Sequence, residues 1–105
     1  MINRETIKKA ATLLHEARPK ATIMLIGSQA RGESSKRSDM DFLVVLPSVK
    51  FRRREMVLLS DLLRPLRLPV DVIVTGKKTF QEWSKIPGTL YHAAAKEGKV
   101  IFQAA

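Results

Sequence analysis

Apolar side chains recur every three or four residues through 3–17, with Ile7, Ala10 or Ala11, Leu14 and Ala17 on one stripe. That period predicts a helix, with Asn3 as its N-cap and Pro19 as its stop. The pattern then changes. Residues 21–26 (Ala-Thr-Ile-Met-Leu-Ile) form a short, almost unbroken apolar run, which suits a strand buried on both faces. Gly27 breaks the run, and Ser28 to Gly32 should open a short helix with Ser28 as its cap. A second strand is expected over 40–46 (Met-Asp-Phe-Leu-Val-Val-Leu), ended by Pro47. Met56, Leu59, Leu63 and Leu66, widened by Leu58 and Leu62, predict a helix over 52–66 that Pro65 and Pro69 close. Residues 70–75 read as a third strand, and Thr79–Ser84 and Thr89–Glu97 as short helices. Gly98 suits a C-cap, and Val100-Ile101-Phe102 an edge strand. The order α-β-α-β-α-β-α-α-β is that of a small α/β sandwich, with no repeat, low-complexity tract or linker.

Composition narrows the setting. At 105 residues and 45% hydrophobic, one domain over 1–105 with a small core is expected. The absence of cysteine excludes disulfides, thiolate zinc sites and a cysteine nucleophile. The apolar runs are of strand length, and the start Met1-Ile2-Asn3-Arg4-Glu5 lacks the pattern of a signal peptide, so a cytoplasmic protein with no membrane span is the expectation. The net charge of +9 favours acidic partners, whether nucleotides, nucleic acid or an acidic protein, although a solvated Lys/Arg-rich surface would give the same balance.

The chemistry concentrates in 27–41, Gly-Ser-Gln-Ala-Arg-Gly-Glu-Ser-Ser-Lys-Arg-Ser-Asp-Met-Asp. Asp39 and Asp41, two residues apart at the head of a strand, point to one face. Two such carboxylates repel each other unless a cation lies between them. A Gly27-Ser28 turn entering a helix offers backbone N–H groups to phosphate. Asp71 lies between Val70 and Val72, inside an apolar strand where an unpartnered carboxylate is costly. If the second and third strands are neighbours, the three carboxylates reach one edge of the sheet, a hard-oxygen donor set for one or two magnesium or manganese ions. Singly, each feature has a plainer explanation: a turn residue at Asp39, a salt bridge at Asp71, an ordinary Gly-Ser turn. Together they form what transfer of a phosphorus-centred group requires.

Gly27-Ser28 followed by Asp39-Met40-Asp41-Phe42, with Val70-Asp71-Val72 later, resembles the signature of the nucleotidyltransferase superfamily typified by DNA polymerase β. The fuller string Gly27-Ser28-Gln29-Ala30-Arg31-Gly32, then Ser38-Asp39-Met40-Asp41, is similar to its minimal nucleotidyltransferase (MNT) branch, and the likeness runs on to Lys96-Glu97-Gly98-Lys99-Val100-Ile101. The resemblance implies an α+β domain whose mixed, palm-like sheet carries the metal site, with ATP as substrate bound through Mg2+ (two ions, or Mn2+). It implies that Gly27 and Ser28, with Ser38 of the same string, hold the nucleotide. Asp39 and Asp41 would bind the metals, and Asp71 would complete the second metal site and help deprotonate the attacking hydroxyl. MNT domains are typically paired with a helical HEPN protein in a toxin–antitoxin module, in which the transferase silences a ribonuclease toxin by adding AMP to a tyrosine. The implied partner is therefore a HEPN-family toxin in a hetero-oligomer. Three alternatives stand beside this one: a non-catalytic antitoxin acting by occlusion, a small-molecule nucleotidyltransferase, and a nucleic-acid binder using the basic surface.

Of the remaining residues, Arg31 is placed to neutralise triphosphate charge, or to pair with Glu33 or an Asp. Lys36 and Arg37 read as solvated loop charges. The run Arg52-Arg53-Arg54 opposes the dipole at its helix start, which leaves a functional use open. His15 and His92 read as surface or packed histidines, Phe80 and Trp83 as core aromatics that could instead stack on a base, and Met24, Met40 and Met56 as core filler. Tyr91 is a weaker candidate as a nucleotide acceptor in cis.

Overall fold

A computed structural model of the chain describes residues 4–32 and 40–104. Its elements follow the expected order: α1 (Arg4–Ala17), β1 (Thr22–Ile26), α2 (Gly27–Arg31), β2 (Met40–Leu46), α3 (Arg52–Leu63), β3 (Val70–Gly76), α4 (Lys77–Trp83), α5 (Leu90–Glu97) and β4 (Lys99–Phe102). The Asn3 cap lies outside the described residues. Ser28 is the second residue of α2 rather than its cap, because the helix already begins at Gly27. The helix expected to reach residue 66 ends at Leu63 and tightens into a 3-10 turn over Arg64–Leu66. Pro65 has no N–H with which to continue the α-helical ladder. The Arg67 N–H closes instead on the Arg64 carbonyl at 3.0 Å, with Arg67 left-handed (φ 54°).

The strands form one mixed sheet in the order β3-β2-β1-β4. β1 runs antiparallel to β2 and to β4, while β2 and β3 are parallel, joined through α3. Side chains alternate across the sheet. Ile23, Leu25, Phe42, Val44, Val72 and Val74 face α1 and α3, where they join Ala10, Ala11, Leu14, Leu59 and Leu63 in the main core. Met24, Ile26 and Leu43 face the other way, onto Ala94 of α5, with Val45, Ile73, Phe80 and Tyr91 around them. The sheet is thus sandwiched, and the even-numbered β1 positions and odd-numbered β2 and β3 positions share the α4/α5 face.

Gly98 ends α5 in an extended conformation (φ −70°), so its need for glycine is steric and not conformational. A Cβ there would lie 2.5 Å from the Ala94 carbonyl oxygen and 3.0 Å from Met24 Cε. Gly98→Ala is expected to cost about 1–3 kcal/mol, as overpacking does, read as a lower melting temperature with secondary structure retained.

Arg18 ties the end of α1 to the first turn of α3. Its Nε and Nη2 donate to the two Glu55 carboxylate oxygens at 2.8 and 2.9 Å, and its Nη1 donates to the Ala17 carbonyl at 2.7 Å. The hydrogen bond from Arg18 holds the Glu55 carboxyl below the usual carboxylate range, against the opposing effect of burial. A lowered folded-state pKa stabilises the fold above the unfolded glutamate value of about 4.3, and that contribution disappears as the pH falls through the folded pKa. Glu55→Gln is expected to cost about 1–2 kcal/mol at neutral pH and to flatten the acid limb of the stability curve, measured by urea unfolding at pH 7 and below pH 4.

Candidate active site

β1 and β2 are antiparallel and β2 and β3 parallel, which brings the C-terminal end of β1 beside the N-terminal ends of the other two strands. Ile26 pairs with Asp41, and Asp41 pairs with Asp71. The two carboxylates therefore emerge side by side on the α4/α5 face, from strands about 4.8 Å apart. The Met40 N–H donates to the Pro69 carbonyl at 2.9 Å, locking the start of β2 onto the segment that leads into β3. Asp41 is half-buried and Asp71 exposed, so the pair grades from the sheet into solvent.

Gly27 forms the wall beside Asp41. Its φ is +75°, a left-handed conformation that L side chains rarely adopt. A Cβ on it would lie 2.6 Å from Asp41 Oδ2. The strand-to-helix turn and the carboxylate are thus fitted to each other, and only glycine meets both requirements. The buried Ala30 anchors α2, so that the turn sits on the sheet.

Of the predicted site residues, Gly27, Asp41 and Asp71 come together at this corner, with the Ser28 backbone in the first turn of α2. Asp39 and Ser38 lie outside the described residues. Arg31, at the far end of α2, reaches Glu97 of α5 with Nη1–Oε2 at 3.5 Å, both side chains being substantially exposed. Glu97 is thus an acidic contact of Arg31 that no local signal in the sequence reveals, the two being 66 positions apart; the expected alternative partner Glu33 lies outside the described residues. Among the described residues, no three His, Cys, Asp or Glu side chains gather as a metal-binding group. The Asp41–Asp71 pair alone is chemically suited to Mg2+, being two hard-oxygen ligands from different strands on one open face.

Other candidates fall away from this corner. His15 stacks on Phe102 with centroids 4.4 Å apart. His92 Nδ1 donates to the Ser84 carbonyl at 2.8 Å, a structural link across the α4–α5 turn. Phe80 and Tyr91 meet edge to face at 6.2 Å in the second core. Trp83, expected in the core, is half-exposed and not part of the second core that Phe80 joins. Arg52 donates from Nε to the Val74 carbonyl of edge strand β3 at 2.6 Å, so the first arginine of the run has a structural role. No helix among the described residues is long and apolar enough to cross a membrane.

The sequence model of the nucleotidyltransferase domain matches residues 7–99, nearly the whole chain, including β1, β2 and β3, which build this corner. This chain belongs to the nucleotidyltransferase domain family. No curated protein is significantly similar to this nucleotidyltransferase in sequence. Several solved structures share its fold. One is a toxin–antitoxin crystallised with AMP-PNP, 22% identical over 98% of this chain and 75% of that one, with a TM-score of 0.64. Another is a mutant form of the MntA–HpeT toxin–antitoxin, 20% identical over 98% and 75%, with a TM-score of 0.62. A third is the tri-AMPylated Shewanella oneidensis HEPN toxin in complex with MNT antitoxin, 18% identical over 98% and 74%, also at 0.62.

Proposed function

We propose that this nucleotidyltransferase is an MNT-type antitoxin that moves AMP from ATP onto a hydroxyl, specifically a tyrosine, of a partner HEPN-family ribonuclease toxin in the cytoplasm. The observation that carries the chemistry is the in-register Asp41–Asp71 pair beside the left-handed Gly27 turn. The kind of partner is supported by the toxin–antitoxin complexes that share the fold, one of them containing a tri-AMPylated HEPN toxin.

Each residue then has a task. Gly27 lets the backbone approach the triphosphate without a side chain in the way, and Ser28 and Ser38 add hydroxyl donors. Arg31, held on the surface by Glu97, contributes positive charge near the phosphates. Asp39, Asp41 and Asp71 would hold Mg2+, as two ions, or Mn2+. When bound, the ions neutralise triphosphate charge and ease ionisation of the attacking hydroxyl. Asp71, the exposed member, is the carboxylate an incoming tyrosine meets, and it takes the hydroxyl proton. The tyrosine oxygen forms a bond to the α-phosphorus, the bond to the bridging oxygen breaks, and pyrophosphate leaves. The resulting AMP ester puts bulk and negative charge where the ribonuclease would hold RNA phosphate.

The test replaces Asp39 and Asp41 together by Asn and follows both complex formation and toxin neutralisation. The expected result is an intact complex whose ribonuclease stays active. Full neutralisation by the double variant would instead establish occlusion, and AMP transfer with no partner protein present would establish a small-molecule acceptor.

A further inference from the structure

The outer face of α3 is apolar, and nothing among the described residues covers it. Leu59 and Leu63 point into the core, while Val57, Leu58 and Leu62 stand on solvent at 62, 42 and 38% exposure, with Phe51 at 58% just before the helix. Arg53, Arg54, Val57, Leu58 and Asp61 line a single shallow groove. Its rim is basic. Lys50 and Arg54 flank the Phe51 ring at 5.6 and 5.4 Å from its centroid. Asp61 is already tied to Arg64 Nη2 at 2.8 Å. Arg52 and Glu55 are engaged with Val74 and Arg18, so Arg53 and Arg54 are the charges of this helix start that these contacts do not use. Their positive charge opposes the helix dipole, a standing cost at a position where Glu would stabilise.

We propose that this face is the docking site for an acidic amphipathic helix of the acceptor protein; this rests on the reading that the chain modifies a protein partner. The charge selects the occupant. A second copy of the chain would set Lys50, Arg53, Arg54 and Arg64 against the same four side chains, with one Asp61 on each side, and like charges repel. A partner helix with Leu or Ile flanked by Glu or Asp meets the groove with apolar surface and the rim with opposite charge. The 12-residue α3 offers a track about 18 Å long. Its outer face lies behind the sheet from Asp41 and Asp71, which open on the α4/α5 side. Docking here anchors the acceptor protein while leaving the catalytic corner open to its tyrosine.

The test measures binding of a HEPN-family protein of the proposed partner class to wild type, to Arg53→Glu/Arg54→Glu and to Val57→Ser/Leu58→Ser, at low and high salt, with the melting response to Mg-ATP as a folding and site control. The charge change places carboxylates in the first turn of α3, where they favour the helix, so lost binding cannot be ascribed to unfolding. The expected result is affinity weakened at least about 30-fold by either pair, the wild-type affinity falling with salt and the Mg-ATP response unchanged. Wild-type affinity in both variants overturns the docking site and leaves the transfer reading standing. A docked complex with no AMP transfer does the reverse. Wild-type self-association abolished by the same substitutions would assign the face to a second copy, and absence of any complex would remove both proposals.

Discussion

Asp41→Asn is expected to lower AMP transfer by at least about a thousandfold while the protein stays folded. The substitution keeps size and shape and removes one charge from a pair that β2–β3 registry sets side by side. Removing a single preorganised electrostatic group from a site of this kind typically costs a hundred- to a thousandfold, and under the proposed function the loss would also take away a metal ligand. The check is single-turnover transfer at saturating ATP together with thermal melts with and without Mg2+. Wild type should melt at higher temperature when Mg2+ and ATP are present, since a ligand that binds only the native state stabilises it. The variant should lose that response. Transfer within tenfold of wild type would remove Asp41 from the site.

Gly27→Ala is expected to reduce transfer at least about a hundredfold and to destabilise the fold as well. Two costs combine. A left-handed φ of +75° penalises any side chain by roughly 1–2 kcal/mol. The new methyl also meets Asp41 Oδ2 at 2.6 Å, so the carboxylate must turn out of position. Gly32 separates the two effects. Its φ is +72°, but among the described residues a Cβ there meets nothing within 4 Å. Gly32→Ala should therefore show only the backbone cost in urea unfolding, with transfer close to wild type. Equal transfer losses in the two variants would mean that Gly27 acts through stability alone.

The fold was legible in the sequence wherever one local rule decided the matter. Almost unbroken apolar runs, interrupted by Thr22 and Asp41, marked β1 and β2, and proline marked the end of α1. The Asp-x-Asp spacing, with Asp71 in a later strand, led to a shared sheet edge only on the condition that β2 and β3 are neighbours, and their parallel pairing meets that condition for Asp41 and Asp71. What escaped were features decided by distant neighbours. Leu58 and Leu62 fit the helical stripe as well as Leu59 does, yet the crossing of α3 over the sheet buries only Leu59 and Leu63 and leaves the other two facing solvent. Trp83 has the composition of a core residue but sits past the last position at which α4 touches the second core. Arg18–Glu55 and Arg31–Glu97 join positions 37 and 66 apart, which no periodicity reveals. The arginine run was visible as an anomaly, and the structure divides it between an edge-strand contact for Arg52 and an exposed rim of Arg53 and Arg54, the latter over the Phe51 ring.

The central claim is nucleotidyl transfer to a protein, and label transfer tests it most directly. Wild type and Asp71→Asn would each be incubated with Mg2+, a HEPN-family protein of the proposed partner class and ATP labelled at either the α or the γ phosphate. The account predicts one labelled band, that of the partner, from α-labelled ATP and wild type only, with a tyrosine carrying the mass of AMP. Label from the γ position would mean phosphorylation. No label in any lane, with Mg-ATP binding intact, would contradict the account.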